Sequence, residues 1–211
     1  MGREERELGN SPEIGSTEKR FLFPYDKITS RAEALRAINV WRSKGLRVVF
    51  ADAVLDIPHY RHADYFLACA NFGEKLVVRL ATDELIKRKK NPEGPVVPWR
   101  ERAMHAAHYP YIDLVMPKTR NGWKWAQDFR PDVIVNSNTS PLFVIKDLLK
   151  NRDWLRDLGV RLVALDELAQ EIPFSSLYEQ CLLYNRDKYN LDKFSGTRIK
   201  EIIVERARGY T

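Results

Sequence analysis

The amino-acid sequence predicts a doubly wound α/β fold, a parallel sheet of about five strands with helices on both faces. Three observations carry this. Short continuous apolar runs recur along the chain, segments with apolar residues at helical spacing lie between them, and glycines, prolines and small polar residues punctuate the joins. Strands that are apolar at every position, rather than at alternate ones, are those buried on both faces of a parallel sheet.

The elements follow in order. Residues 30–43 read as a helix, with Ser30 as N-cap, an apolar stripe of Ala34, Leu35, Ile38 and Trp41, and Gly45 closing it. Residues 46–50 (Leu-Arg-Val-Val-Phe) form the first strand, and a loop runs from Ala51 to His59. A helix over 61–72 ends at Gly73, the expected left-handed C′ residue. Residues 75–80 make the second strand, and Thr82 or Asp83 caps a helix leading into Lys87-Arg88-Lys89-Lys90. Beyond a Pro/Gly-rich loop, 99–108 is helical, 112–116 is the third strand, 123–129 is helical and 132–135 is the fourth strand. A helix over 142–151 is followed by a further turn or two at 153–158, closed by Gly159. The fifth strand is 160–165, and 175–208 is mostly helical, broken near Asn190. Residues 1–20 read as a flexible arm and 21–211 as a single domain, with a helical insertion at about 171–193.

The 211 residues suffice for one core of good size, and 44% hydrophobic with 30% charged residues is an ordinary soluble composition. No apolar run nears the roughly 20 residues of a membrane span, and residues 1–19 lack the apolar stretch of a signal peptide, so the expected compartment is the cytoplasm. Cys69 and Cys181 sit in apolar helical patterns and read as core residues, and two cysteines with four histidines give no zinc spacing. The net charge of +6 suits a phosphate-rich ligand, a nucleic acid or an acidic surface. Nucleic acid ranks low among these, because no basic stripe or recognised module is present.

Chemistry concentrates in two segments. Asp56-Ile57-Pro58-His59-Tyr60-Arg61-His62 follows the first strand and places two histidines three residues apart where a loop enters a helix. A helix start offers free N–H groups and the positive end of the dipole, so both imidazoles can face phosphates there. The alternative is that one histidine caps the helix while the other packs on the sheet. Phe194-Ser195-Gly196-Thr197-Arg198-Ile199-Lys200-Glu201 is the second segment. Ser195 and Thr197 offer hydroxyls at a helix start, and Gly196 lets a ligand approach the backbone. Its alternative is a plain N-cap with a surface Arg198.

Read together and in chain order, these segments resemble the cytidylyltransferase-like nucleotidyltransferases. That family carries G-x-F-D-x-x-H-x-G-H after its first strand, and residues 53–62 here read Ala-Val-Leu-Asp-Ile-Pro-His-Tyr-Arg-His. Val48-Val49-Phe50 and the Asp-Ile-x-His core are most similar to heptose-1-phosphate adenylyltransferases, and Ala81-Thr82-Asp83-Glu84 resembles the S-T-D-E of glycerol-3-phosphate cytidylyltransferases. Pro98 to Arg102 resembles the family's P-x-x-x-R, Ile112-Asp113-Leu114-Val115 its V-D-x-V strand, Arg130-Pro131-Asp132-Val133 its K-P-D-V, and residues 195–201 its S-T-T-x-I-K-E. The resemblance implies a Rossmann-like sheet. It also implies transfer of CMP or AMP from CTP or ATP, with Mg²⁺, to a phosphorylated sugar or alcohol, releasing pyrophosphate. His59, His62, Lys89 and Lys90 would then be catalytic. Asp56, Arg61, Ser195, Gly196, Thr197 and Arg198 would bind nucleotide and phosphate, and a homodimer is expected. Ala53 and Arg61 stand where the motif has glycines, and residues 136–140 (Asn-Ser-Asn-Thr-Ser) replace a G-D or G-G-D element near the base. A catalytically inactive binding or scaffold protein on the same fold is the second reading.

Overall fold

The computed structural model describes residues 24–89, 92–120 and 122–187. A six-stranded sheet comprises β1 (Val48–Ala53), β2 (Lys75–Ala81), β3 (Leu114–Lys118), β4 (Val133–Ser137), β5 (Arg161–Leu165) and β6 (Glu171–Ile172). Their order is β3-β2-β1-β4-β5-β6. The first five run parallel, and the two-residue β6 pairs antiparallel with β5. The chain steps from β1 outward to β3 and then returns to β4 on the other side of β1. Strand order therefore reverses between β1 and β4, which opens a crevice at their carboxyl ends.

The strands are apolar throughout because both faces are covered. Val48 and Phe50 point to one core, with α1 (Arg31–Ser43), α5 (Trp125–Phe129), α6 (Leu142–Asp157) and α7 (Leu177–Asp187). Val49 and Ala51 point to the other, with α2 (Tyr60–Ala70) and α4 (Trp99–Ala107). The short helix α3 (Asp83–Lys89) packs Leu85 and Ile86 at the end of β2. Cys69 and Cys181 are buried in these cores and are not joined in a disulfide. Among the described residues, no helix is long and apolar enough to cross a membrane.

Local chemistry fixes the ends of these elements. Ser30 caps α1 in a reciprocal box, its Oγ accepting from the Glu33 amide at 3.3 Å while its own amide donates to the Glu33 carboxylate at 2.8 Å. Thr82 caps α3 by accepting the Leu85 amide at 3.3 Å. At the amino ends of the strands, Asp132 accepts the Val48 amide at 2.7 Å and Asp113 accepts the Leu76 amide at 2.8 Å. The aspartates of the V-D-x-V and K-P-D-V resemblances thus stitch neighbouring strands at the edge opposite the crevice.

Four details differ from expectation. Gly73 has no positive φ and does not terminate α2, which ends at Ala70 with Asn71 as C-cap. Its need for glycine is spatial, since an added Cβ would lie 2.7 Å from Val49 Cγ2 and 2.9 Å from the Arg47 carbonyl oxygen. Residues 142–157 form one continuous helix, because Asn151 turns its side chain back to the Asp147 carbonyl at 2.7 Å while the backbone continues. The segment expected as a helical insertion opens with β6 and a 3-10 turn (Phe174–Ser176) before α7 begins. β2 begins at Lys75 as expected, whereas β1, β3, β4 and β5 begin one or two residues later than their expected runs, whose first residues lie in the approach to the sheet. The expected arm at 1–20 and the helical end of the chain lie outside the described residues.

Candidate functional site

A cleft of about 560 Å³ opens at the carboxyl ends of β1 and β4. Asp56, His59, Arg61, His62 and Lys89 all line it, so five residues singled out in the sequence converge on one space. Lys90, Ser195, Gly196, Thr197 and Arg198 lie outside the described residues.

The loop from β1 to α2 is held from outside the cleft. Asp56 accepts the Val97 amide at 2.9 Å, and the Val54 carbonyl accepts from the Arg102 guanidinium. Leu55 between them has φ 55° and is buried, a left-handed conformation unusual for a branched apolar residue. The loop ends at His59, the extended N-cap of α2.

The two imidazoles lie with ring centroids 4.1 Å apart. The His59 amide donates to His62 Nδ1 at 3.3 Å, so His62 takes part in starting the helix. This is half of the alternative weighed from sequence, yet the ring also lines the cleft. Because Nδ1 accepts, the neutral ring carries its proton on Nε2 and is a donor there. Burial, and secondarily His59, lower the His62 pKa to about 4. Burial, and then the Arg61 charge, lower that of His59. Near neutral pH both rings are therefore uncharged N–H donors rather than imidazolium cations.

Arg61 occupies the position between the histidines. Its Nε donates to the Tyr60 hydroxyl at 3.1 Å, and its Nη1 is buried with no partner among the described residues. Across the cleft, Asn136 at the end of β4 is 4% exposed, and its side-chain N–H₂ has no partner among the described residues. Ser137 and Thr139 join through their hydroxyls at 3.0 Å, and Asn138 donates to Glu167 at 2.6 Å. The segment that departs from the family's G-D element is thus one wall of the cleft.

Sequence reasoning missed a charged group next to these residues. Asp52 on β1 receives Arg79 Nε and Nη2 from β2, both at 2.7 Å, and Lys118 Nζ from β3, also at 2.7 Å. Burial alone pushes the Asp52 carboxyl up, but Arg79 and Lys118 outweigh it and hold the pKa at about 2. The Arg79 guanidinium lies 3.5 Å from the centre of the Trp125 ring, which fixes its plane. The available signal was Asp52 and Arg79 interrupting otherwise apolar strands.

As for a cation, no group of three or more His, Cys, Asp or Glu among the described residues could hold a metal. Asp56, Asp166 and Glu167 line the cleft as separate carboxylates. That donor set fits Mg²⁺ bound chiefly by phosphates and water, with Asp56 as the cleft-lining carboxylate within the histidine motif.

A doubly wound sheet with paired histidines at its switch point is the arrangement that the sequence motifs anticipate. The family model described as cytidylyltransferase-like matches residues 50–202, and the chain belongs to that family. Among curated relatives, the bifunctional protein HldE of Magnetococcus marinus is 31% identical over 146 residues, covering 69% of this chain and 29% of that protein. The bifunctional protein HldE of Gluconacetobacter diazotrophicus is 35% identical over 141 residues, covering 66% and 28%. The chain spans less than a third of the length of these relatives. A solved structure, the lipopolysaccharide core biosynthesis protein from Thermoplasma volcanium GSS1, is similar with a TM-score of 0.48 and 21% identity, covering 58% of this chain and 96% of that one.

Proposed function

We propose that the chain is a nucleotidyltransferase that moves CMP or AMP from a nucleoside triphosphate to a phosphorylated sugar or alcohol. An oxygen of the acceptor phosphate attacks the α-phosphorus in line. The bond from that phosphorus to the oxygen bridging to the β-phosphorus breaks, and pyrophosphate leaves. The observation that carries this reading is the convergence of His59, His62 and Lys89 on one cleft at the switch point. The chemistry needs positioning and charge stabilisation, not a nucleophilic side chain.

His62 Nε2–H, and His59 beside it, donate to α-phosphate oxygens as charge builds on them. Lys89, at the end of α3, neutralises phosphate charge. Mg²⁺ bound with the triphosphate would supply further neutralisation of phosphate charge, with Asp56 as the motif carboxylate that would hold it. Lys90, Ser195, Gly196, Thr197 and Arg198 retain the roles that the motif implies.

The reading of a binding protein without turnover has its own support. The Ala53 and Arg61 side chains line the cleft where the motif places glycines. One plate separates the two. Thermal shift with each nucleoside triphosphate and Mg²⁺ should give stabilisation by CTP or ATP, followed by pyrophosphate release in an acceptor screen. His62→Ala should lower that turnover about a hundredfold or more, the usual effect of removing one preorganised donor. Undiminished turnover in the variant would remove His62 from the mechanism, and no shift with any triphosphate would favour the binding protein.

A further inference from the structure

Beyond the histidines the cleft continues into a second cavity of about 400 Å³. Asp52, Lys89, Lys118, Phe143 and Val144 line both, so the two form one trough. Arg79, Trp123 and Asp147 line only the far part.

The charge arrangement at the boundary is unbalanced. Asp52 and Arg79 would satisfy each other as a two-point pair, since both guanidinium bonds are 2.7 Å. Lys118 is a third charge on the same carboxylate, and its side chain is only 11% exposed. An ammonium has three N–H donors, and Asp52 is the one acceptor Lys118 Nζ has among the described residues. The side chain of Arg79 is 5% exposed. An excess cation held this far from water is costly unless an anion completes the set. Further along the trough, the indole N–H of Trp123 is buried with no partner among the described residues. The Asp147 carboxylate adds an acceptor suited to hydroxyl groups.

We propose that Lys118 at the boundary between the cavities, with Arg79 beside it on the far side, binds the phosphate of the acceptor, while its hydroxylated body extends into the far part beside Trp123 and Asp147. Asp52 is a positioning residue, holding both cations at the carboxyl ends of their strands. The acceptor class is thus a phosphate monoester with a compact polar body. The inference rests on the nucleotidyl-transfer reading given above.

The test uses the full chain and inorganic phosphate as the probe, titrated calorimetrically with the stabilising nucleoside triphosphate and Mg²⁺ already saturating. Wild type should bind phosphate alongside the triphosphate. Lys118→Met should weaken phosphate about fivefold or more and change triphosphate affinity by less than about twofold, and Lys118→Arg should restore phosphate binding. Phosphate binding unchanged in Lys118→Met, or competition between phosphate and triphosphate, would overturn the assignment. Should no triphosphate bind, the same titration on the free protein separates the two claims. Lys118-dependent binding there supports the anion site while the transfer reading fails, and Lys118-independent binding overturns the anion site as well.

Discussion

His62 occupies the first turn of α2 with its Nδ1 already accepting the His59 amide, and this has a consequence for acid stability. An exposed imidazole takes its proton near 6.5, whereas burial and His59 depress the folded pKa to about 4. Between those values the unfolded chain binds more protons, so acid favours unfolding. Stability should be whole above about pH 6.5 and fall as pH drops through 4, by a few kcal/mol at most, on the order of 3 kcal/mol. His59, also depressed, acts in the same direction. Asp52 contributes in a separate window, where stability is lost as pH falls from 3.8 through about 2. Denaturant melts of wild type and His62→Gln between pH 7 and pH 4 make the comparison. Equal slopes for the two proteins would show that His62 does not carry the effect.

Elements owe their placement to a few contacts that a linear reading does not reveal. Gly73 illustrates this. Its position after a helix suggested a left-handed cap, whereas the structure uses it where the turn passes the Arg47 carbonyl and Val49. Gly73→Ala should therefore destabilise by about 1–3 kcal/mol through overpacking against backbone, measurable as a lower denaturation midpoint with unchanged m-value. An alanine variant as stable as wild type would refute the spatial account. Helix α1 was legible because its cap and stripe are local in sequence. The continuity of α6 was not, because Asn151 resembles a breaker until its side chain is seen to turn back on its own helix. β6 escaped notice for a related reason, since two residues carry no periodicity and only the antiparallel pairing with β5 defines them.

At the scale of the whole molecule, one buried side chain ties the ends of several elements together. Arg102, fully buried on α4, donates to the Val54 carbonyl after β1, the Ala81 carbonyl of β2 at 2.8 Å, the Val97 carbonyl at 2.9 Å and the Asp83 carboxylate of α3 at 2.6 Å. Arg102→Met leaves these acceptors unmatched and should lower stability by about 2–3 kcal/mol, less than a wholly buried pair because Asp83 is partly exposed. Thermal melting checks it, and a variant that melts with wild type would argue against the tie. The order of motifs made the switch-point cleft and its Asp56, His59, His62 and Lys89 legible, because each belongs to a local pattern. Asp52, Arg79 and Lys118 belong to none. They meet only through the register that pairs Asp52 with Arg79 and sets Lys118 opposite Ala81 on the outer strand.

The left-handed Leu55 sits between two tethered neighbours, Val54 under Arg102 and Asp56 under the Val97 amide. A branched residue in that conformation costs roughly 1 kcal/mol or more, and its buried side chain and the two tethers oppose its escape. The loop that presents the histidines is consequently shaped before anything arrives. A ligand entering the cleft has little backbone freedom to freeze there, so the entropy of loop ordering is spent during folding rather than at each encounter.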